Sequence, residues 1–314
     1  MRLAKTFFVA TDKLLNKPQN PRRLEKNLTD VTTLCDIVYC SDYPDMSLDI
    51  HYVPRDDGLS YPVIFEIHGG GFAAGDKKYR RVLCKYYSKQ TGAFVVNVNY
   101  GVGSENAFPL PIKHLVAAAN WVWQNAEKYN LDLSRFVVTG DSAGAYYSAF
   151  LCALQGSEKL QRKFECAPNA HFTAGVFNCG LYDLEYALQK RTALNRSICQ
   201  EFTGLTMEQA SEKRLFDDMS VTNYVTDRFP PSLIIYSTHD VFCKGQAELL
   251  LQQLEIHNVP AEKIVATRFK DNHVYSLMWS TKMAVATNKQ IIYFINRHLY
   301  GDVAENPQTE SIAE

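Results

Sequence analysis

A serine lies between two glycines where a strand-like run of residues meets a helix-like run. The segment is FVVTGDSAGAYYSAF, in which residues 136–139 are apolar or β-branched and Gly140, Ser142 and Gly144 follow. Glycines on both sides of a serine allow a sharp strand-to-helix turn that exposes its hydroxyl. A tight turn without any chemistry would use the same small residues. The segment therefore indicates either such a turn or a serine held for nucleophilic attack.

A second glycine-rich run, HGGGF at residues 68–72, directly follows the strand-like residues 62–67. Three successive glycines allow backbone N–H groups to converge on one point, as the oxyanion of a tetrahedral intermediate requires. The alternatives are a flexible turn and a phosphate-binding nest. A phosphate-binding loop needs a Lys-Ser/Thr pair before a helix, and the nearby GDKK at residues 75–78 lacks that order. We therefore favour an oxyanion site.

A serine hydroxyl is a weak nucleophile unless a base removes its proton and an acid orients that base. In strand–turn–helix hydrolases the acid and then the histidine follow the serine along the chain. Asp240 follows the strand-like run 233–237, and His273 lies in a loop after a run that ends at Phe269. We predict these two as the acid and the base. Weaker candidates with less suitable positions are Asp183, Asp271, His239 and His298.

Strand-like and helix-like patterns alternate from residue 62 onward, and the strands are near-continuous runs of Val, Ile and Phe. This alternation is typical of a mostly parallel central sheet with helices on both faces, an α/β fold. The predicted strands are 36–40, 48–52, 62–67, 93–99, 136–139, 173–177, 233–237 and 263–269. The predicted helices include 3–15, 110–129, 246–257 and 282–299, with Pro18 and Pro21 ending the first.

Residues 183–228 interrupt the alternation, because no good strand pattern occurs among them. Thr206 and Gln209 have the spacing of a capping box, so we predict short helices. A long excursion from a compact α/β domain is typical of a lid or cap. We expect one domain over residues 1–314, with a small helical cap from about 1–34 and 183–228.

The composition excludes several classes of function. The 314 residues have a net charge of −1 and no basic cluster, so we expect no nucleic-acid partner. The apolar run 7–10 is too short for a signal peptide or a membrane span. Eight cysteines without a C-x-x-C or zinc-like spacing indicate reduced thiols, so we expect a cytoplasmic protein.

Taken together, HGGGF, GDSAG, Asp240 and His273 make the chain similar to the α/β-hydrolase fold, and in particular to the hormone-sensitive-lipase-like carboxylesterases. The resemblance extends from about residue 62 to residue 299. It implies Ser142 as the nucleophile, His273 as general base and then acid, and Asp240 as the orienting carboxylate. The oxyanion hole would consist of the backbone N–H groups of Gly70, Gly71 and Ala143. Such enzymes hydrolyse esters of short or medium acyl chains without a cofactor or metal.

The sequence departs from this family at two positions that would hold an internal ion pair. Gly101 stands where the family usually has Arg, and His114 stands where it usually has Asp. Because both partners are replaced together, we predict that one structural contact has been exchanged for another. Val241 and Val274, beside the predicted acid and base, also differ from the family, which leaves the pocket shape open.

These observations predict a serine carboxylesterase that acts on a small-molecule ester of short to medium chain. An amidase, formamidase or peptidase on the same fold is the alternative, because the motifs do not identify the leaving group. A non-catalytic ligand-binding protein on a hydrolase scaffold is a remote alternative, since such proteins typically lack a triad member. The sequence leaves open whether copies of the chain associate.

Overall fold

A computed structural model of the chain describes residues 2–301. The predicted domain also includes residue 1 and residues 302–314, which lie outside the described part. Within residues 2–301, eight strands form one sheet. They are β1 (Thr32–Val38), β2 (Ser47–Tyr52), β3 (Tyr61–Ile67), β4 (Phe94–Val98), β5 (Leu131–Asp141), β6 (Ala174–Asn178), β7 (Ser232–Ser237) and β8 (Ala261–Ala266).

The sheet is mostly parallel, as the sequence predicts. Its strand order is β1-β2-β4-β3-β5-β6-β7-β8. Strand β2 pairs antiparallel with both β1 and β4, and all other neighbouring strands are parallel. The carboxyl ends of parallel strands meet at one edge of a sheet. The segments that follow β3, β5, β7 and β8 are therefore brought together there.

Helices cover both faces of the sheet, also as predicted. The longer ones are α1 (Leu3–Gln19), α3 (Arg81–Thr91), α4 (Leu110–Gln124), α5 (Ala143–Gln155), α11 (Gln246–Ile256) and α12 (Lys282–Tyr300). The shorter ones are α2 (Arg22–Lys26), α6 (Glu158–Phe164), α7 (Leu184–Leu188), α8 (Ala193–Thr203), α9 (Met207–Glu212) and α10 (Leu215–Met219).

Two apolar layers enclose the sheet. Residues of α3 and α12 pack with one face, and residues of α4, α5 and α11 pack with the other. Within β3, Val63 and Phe65 belong to the second layer and Ile64 belongs to the first. Burial on both faces explains why the strands are apolar at successive positions instead of alternating.

The first or last residues of several strands differ from the prediction. Strand β1 covers Thr32–Val38 instead of 36–40, because a bulge between Leu34 and Ile37 breaks the register and places Asp36 at φ 59°. Strand β5 extends well beyond the predicted 136–139, and β8 ends at Ala266 instead of at residue 269.

Two helix ends were also predicted wrongly. Helix α1 continues through Pro18, because a proline in the last turn removes only one backbone hydrogen bond. Helix α4 ends at Gln124 instead of near residue 129. There the Asn125 side chain donates to the carbonyl oxygen of Trp121 at 2.8 Å and caps the helix.

The two segments predicted as a cap are helical and lie against each other. Residues 183–228 contain α7–α10 and a short 3₁₀ helix (Val221–Asn223), with the predicted capping box at Thr206 and Gln209. Helix α1 packs against α8 through Ala4 and Phe8. Residues 32–34, by contrast, belong to the sheet. No helix within residues 2–301 is long and apolar enough to cross a membrane.

Candidate active site

Ser142 lies at a strained turn between β5 and α5. Its backbone has φ 53° and ψ −118°, a conformation that residues other than glycine rarely adopt. Its amide donates to the carbonyl oxygen of Asn178 at 2.8 Å, which fixes the turn to the end of β6. Such a turn presents the serine side chain beyond the edge of the sheet.

The glycines around Ser142 are required by close packing of strand and helix. A Cβ atom built on Gly144 would lie 1.9 Å from the carbonyl oxygen of Ile67 on β3. A Cβ atom on Gly140 would lie 2.6 Å from the carbonyl carbon of Gly144. No side chain fits at either position, so the spacing of the motif follows from the approach of α5 to the sheet.

A continuous hydrogen-bonded path connects Ser142, His273 and Asp240. The Nε2 atom of His273 lies 3.0 Å from Ser142 Oγ. The Nδ1 atom of His273 lies 2.9 Å from Oδ2 and 3.1 Å from Oδ1 of Asp240. When Nδ1–H donates to this carboxylate, Nε2 is left as an acceptor for the serine proton. The structure thus brings the three sequence-predicted residues together in the order that proton transfer requires.

The carboxylate of Asp240 is buried and strongly hydrogen-bonded. Its Oδ1 atom accepts from the amides of Phe242 and Cys243, both at 2.8 Å. Burial by itself raises the pKa of Asp240, whereas His273 and these two amides lower it. The lowering effects together are larger, so the net shift of the pKa is downward. The carboxylate therefore stays ionised and able to orient the imidazole at neutral pH.

The glycine loop after β3 begins beside the serine. The amide of Gly69 donates to Asp141 Oδ1 at 3.3 Å, and a Cβ atom on Gly69 would lie 3.1 Å from Ser142 Cβ. Gly70 has φ 142°, which only glycine adopts readily. Within residues 2–301, the amides of Gly70, Gly71 and Ala143 donate to no protein acceptor. These three N–H groups are available to a ligand.

His68 shapes this loop. Its Nδ1 atom lies 2.8 Å from the carbonyl oxygen of Gly69, and its ring stacks on Tyr100 with 4.5 Å between centroids. The Tyr100 hydroxyl donates to the carbonyl oxygen of His68 at 2.7 Å. Burial lowers the pKa of His68 to about 4, so its imidazole is neutral at physiological pH.

The weaker candidates for the acid and the base make ordinary structural contacts. Asp183 caps α7, and Asp271 pairs with an arginine three residues earlier. His298 contacts a carbonyl oxygen one helical turn earlier, and the ring of His239 lies against an exposed phenylalanine. Among the residues that the structure describes, none of these four side chains forms a hydrogen bond with Ser142.

The two positions where the family ion pair is missing contact each other. The amide of Gly101 donates to Nδ1 of His114 at 3.0 Å. Burial lowers the pKa of His114 to about 4, which keeps the ring neutral and able to accept this hydrogen bond. The two positions are thus joined by a neutral hydrogen bond.

Five aromatic residues beside the motifs are core residues. Phe72 stacks on Phe202 of α8 with 3.8 Å between ring centroids and 6° between planes. The other four side chains are at most 2% exposed: Tyr146, Tyr147, Tyr182 and Tyr275. They stabilise the scaffold beneath the site.

Sequence reasoning missed two phenylalanines that enclose the site. The ring of Phe242 lies 5.0 Å from that of His273, in an edge-on contact. Phe8 of α1 lies 6.1 Å from Phe242 and packs on Gly71, since a Cβ atom built there would be 2.0 Å from its ring. The resulting Phe8–Phe242 wall joins the first helix to the loop between β7 and α11. Their separation in sequence explains why no local pattern revealed the wall.

It also missed Arg80, which pairs with the aspartate directly before Ser142. Its guanidinium is buried and donates to both carboxylate oxygens of Asp141. The one sequence signal for the Arg80–Asp141 pair is the aspartate within the serine motif, because a carboxylate that becomes buried needs a partner.

One group of side chains among residues 2–301 has the composition of a metal site. The ligand atoms of Cys179, Asp240 and His273 all lie within 4.8 Å of one another. Two of its members also belong to the path that ends at Ser142.

Comparison with known proteins identifies the family. The model of the BD-FAE family matches residues 48–254, two thirds of the chain. Esterase LipI of Mycobacterium tuberculosis is 35% identical over 95 residues. That match covers 30% of this chain and 30% of LipI, so the chain spans under a third of this curated relative.

Solved structures share the fold over almost the whole chain. Esterase B from Lactobacillus Rhamnosis aligns with a TM-score of 0.75 at 19% identity, covering 94% of this chain and 96% of that chain. A structure described as Esterase B inhibited with a C4-C4 SN3 tributyrin phosphonate has a TM-score of 0.75 at 20% identity, covering 93% and 96%. Carboxyl esterase 2 from Tuber melanosporum has a TM-score of 0.70 at 24% identity, covering 87% and 89%.

These matches confirm the predicted α/β-hydrolase fold and the resemblance to hormone-sensitive-lipase-like proteins. The family match includes β2–β7 and both glycine motifs, and the structural matches extend to α12. The chain belongs to the BD-FAE family of α/β-hydrolases.

Proposed function

We propose that the chain is a serine carboxylesterase that hydrolyses esters of short to medium acyl chains through an acyl-enzyme. The observation that carries the proposal is the path from Ser142 Oγ to His273 Nε2 and from His273 Nδ1 to Asp240, at 3.0 and 2.9 Å. Three unpaired amides nearby and the esterase relatives support it.

In the first half of the proposed reaction, Ser142 Oγ attacks the ester carbonyl carbon while His273 Nε2 takes its proton. The amides of Gly70, Gly71 and Ala143 donate to the oxyanion that forms. The intermediate collapses when the bond to the alcohol breaks, and the departing oxygen takes the proton from His273. Asp240 stays ionised and stabilises the imidazolium.

In the second half, His273 removes a proton from water, and the resulting hydroxide attacks the acyl carbon on Ser142. The second intermediate breaks its bond to Ser142 Oγ, which takes the proton back from His273. The acid then leaves. The scheme uses only groups of this chain and water.

The preference for short and medium chains rests on two supports. Esterase B is described with a tributyrin phosphonate, and its fold matches this chain closely. The Phe8–Phe242 wall stands beside the glycine loop and contacts His273 through Phe242. Both favour a small acyl group.

The experiment is hydrolysis of nitrophenyl acetate by the wild-type chain and by Ser142→Ala. We expect Ser142→Ala to lower the rate by about 10⁶-fold. Ser148→Ala, six residues further along the chain on α5 and also buried, is the matched control. Equal turnover by Ser142→Ala and the wild type would contradict the proposal, and no turnover by the wild type would favour a non-catalytic scaffold.

The amidase alternative differs only in the leaving group. The comparison is an ester and an anilide of the same acyl group with the wild-type chain. We expect kcat/KM to be higher for the ester, and a reversed order would assign the chain to amide substrates.

We also propose a reducing, cytoplasmic setting for the protein, which the eight free cysteines support. Alkylation in denaturant without reductant, on protein purified from its native cells, should add eight labels. Fewer labels would contradict this setting.

A further inference from the structure

We propose that Cys179, Asp240 and His273 form a binding site for a thiophilic divalent cation such as Zn²⁺, and that the bound ion silences Ser142. Cys179 immediately follows β6, Asp240 follows β7 and His273 follows β8. Parallel strands thus bring a sulfur, an oxygen and a nitrogen donor to the same edge of the sheet, within 4.8 Å of one another.

The donor set and its dimensions suit zinc. Cysteine sulfur, histidine nitrogen and carboxylate oxygen are the usual protein ligands of Zn²⁺, at about 2.0–2.3 Å. Around a tetrahedral ion at these lengths, neighbouring donors are about 3.3–3.7 Å apart. The pair His273 Nδ1 and Asp240 Oδ2 is 2.9 Å apart. All three donor separations are at most 4.8 Å, so small side-chain rotations would place the three donors around one ion and leave a fourth position for water.

The backbone fixes the thiol in this place. Cys179 has φ 52°, and its amide donates to the carbonyl oxygen of Ile235 at 2.8 Å. Its side chain is buried, and its sulfur lies within 4.8 Å of the ligand atoms of Asp240 and His273. His273 is the partly exposed member, with 14% of its side chain accessible, and it follows an exposed loop at residues 267–270. Rotation of its ring opens the way for the ion.

The ion would act by reversing the tautomer of His273. In the metal-free site, Nδ1 carries the ring proton and Nε2 accepts from Ser142. An ion binds Nδ1 through the lone pair that holds the proton in the metal-free site. The ring proton must therefore move from Nδ1 to Nε2. The thiol of Cys179 releases its proton to solvent when the sulfur binds the ion. Nε2–H can then no longer accept the Ser142 proton, and the serine loses its base.

Binding is tested without reference to activity, by titrating the chain with Co²⁺ and recording thiolate-to-cobalt charge-transfer absorption. We expect the absorption in the wild type and in the matched control Cys243→Ser, which alters another buried cysteine whose backbone amide donates to the same carboxylate. We expect no absorption in Cys179→Ser or in His273→Ala. The side chain that is altered in His273→Ala is partly exposed. No absorption in the wild type, or equal absorption in Cys179→Ser, would overturn the site.

Silencing rests on the proposed function and is tested separately, with Zn²⁺ and nitrophenyl acetate. Each variant is compared with its own metal-free rate. We expect Cys179→Ser to need at least about 10-fold more Zn²⁺ than wild type for half-inhibition, and a chelator to restore the wild-type rate. Equal sensitivity of both would overturn the silencing. If the chain is not an esterase, no hydrolysis will be seen without metal, but the cobalt absorption will remain. Failure of the proposed function is thus distinguishable from failure of the metal site.

Discussion

Arg80 and Asp141 form a buried, two-point ion pair immediately before Ser142 in the chain. The Nε–Oδ1 and Nη2–Oδ2 distances are 2.5 and 2.6 Å, and Arg80 also donates to Gln19 at the end of α1. The pair joins the serine turn to the segment before α3 and to the first helix. Loss of one partner would leave a buried charge alone.

We therefore expect Arg80→Met to lower the free energy of unfolding by about 3–5 kcal/mol, measured by urea denaturation. The matched control is Arg162→Met, which breaks the exposed pair between Arg162 and Glu158 on α6. That change should cost less than about 1 kcal/mol. Equal losses in the two variants would show that burial of the Arg80 pair is not what stabilises the turn.

Asp12 of α1 makes the stability depend on pH. Burial raises the pKa of Asp12 to about 6; Arg80 opposes this shift, and Asp141 and Asp76 add to it. The folded chain thus holds a proton that the unfolded chain releases near pH 4, so this group's contribution to stability falls as pH rises from about 4 to about 6.

Asp12→Asn mimics the protonated form. It should raise the melting temperature relative to wild type at pH 7.5, and the gain should vanish near pH 4. Asp42→Asn, which removes an exposed carboxylate, controls for the change in net charge. A gain from Asp12→Asn that is the same at both pH values would contradict the shifted pKa.

The contact of Phe8 with Gly71 predicts a limit on substrate size. Phe8→Ala should raise kcat/KM for decanoate relative to acetate nitrophenyl esters by about 10-fold, because it removes a ring beside the glycine loop. Leu14→Ala on the same helix alters a side chain that is 76% exposed and should leave the ratio unchanged. An unchanged ratio in Phe8→Ala would place the acyl group elsewhere.

The path through His273 predicts one acid limb in the pH–rate profile. A protonated imidazole cannot accept the Ser142 proton, so kcat/KM should fall toward acid pH. The pKa of Asp240 is lowered, so its carboxylate remains ionised over that range and adds no second step. A rate that stays flat below about pH 5 would argue against His273 as the base.

Loss of the orienting carboxylate should leave the fold intact and weaken catalysis. Asp240→Asn should lower kcat by about 10⁴-fold, because the amide no longer holds Nδ1–H toward it. Circular dichroism checks the fold, and Asp271→Asn, a buried carboxylate outside the path, is the control. A loss of under about 10-fold in Asp240→Asn would remove Asp240 from the account.

Much of this arrangement could be predicted from sequence because its signals are local. The apolar runs of β3–β7 follow from burial on both faces, and the glycines around Ser142 follow from the close approach of α5. Asp240 and His273 could be chosen because they follow late strands whose ends meet at one edge of the sheet.

What could not be predicted depends on contacts between distant parts of the chain. Phe8 meets Gly71 and Phe242 only after α1 packs on the sheet domain, and Arg80 finds Asp141 across 61 positions. The bulge in β1 likewise arises in its pairing with β2, whereas α1 continues through Pro18 because a proline in the last turn removes only one backbone hydrogen bond.

The most direct test of the central claim is covalent labelling of the intact protein with a fluorophosphonate, followed by peptide mass spectrometry. The account predicts one adduct per chain, on Ser142, formed at least about 100-fold more slowly in His273→Ala. An adduct on another residue, or equally fast labelling without the imidazole, would contradict it.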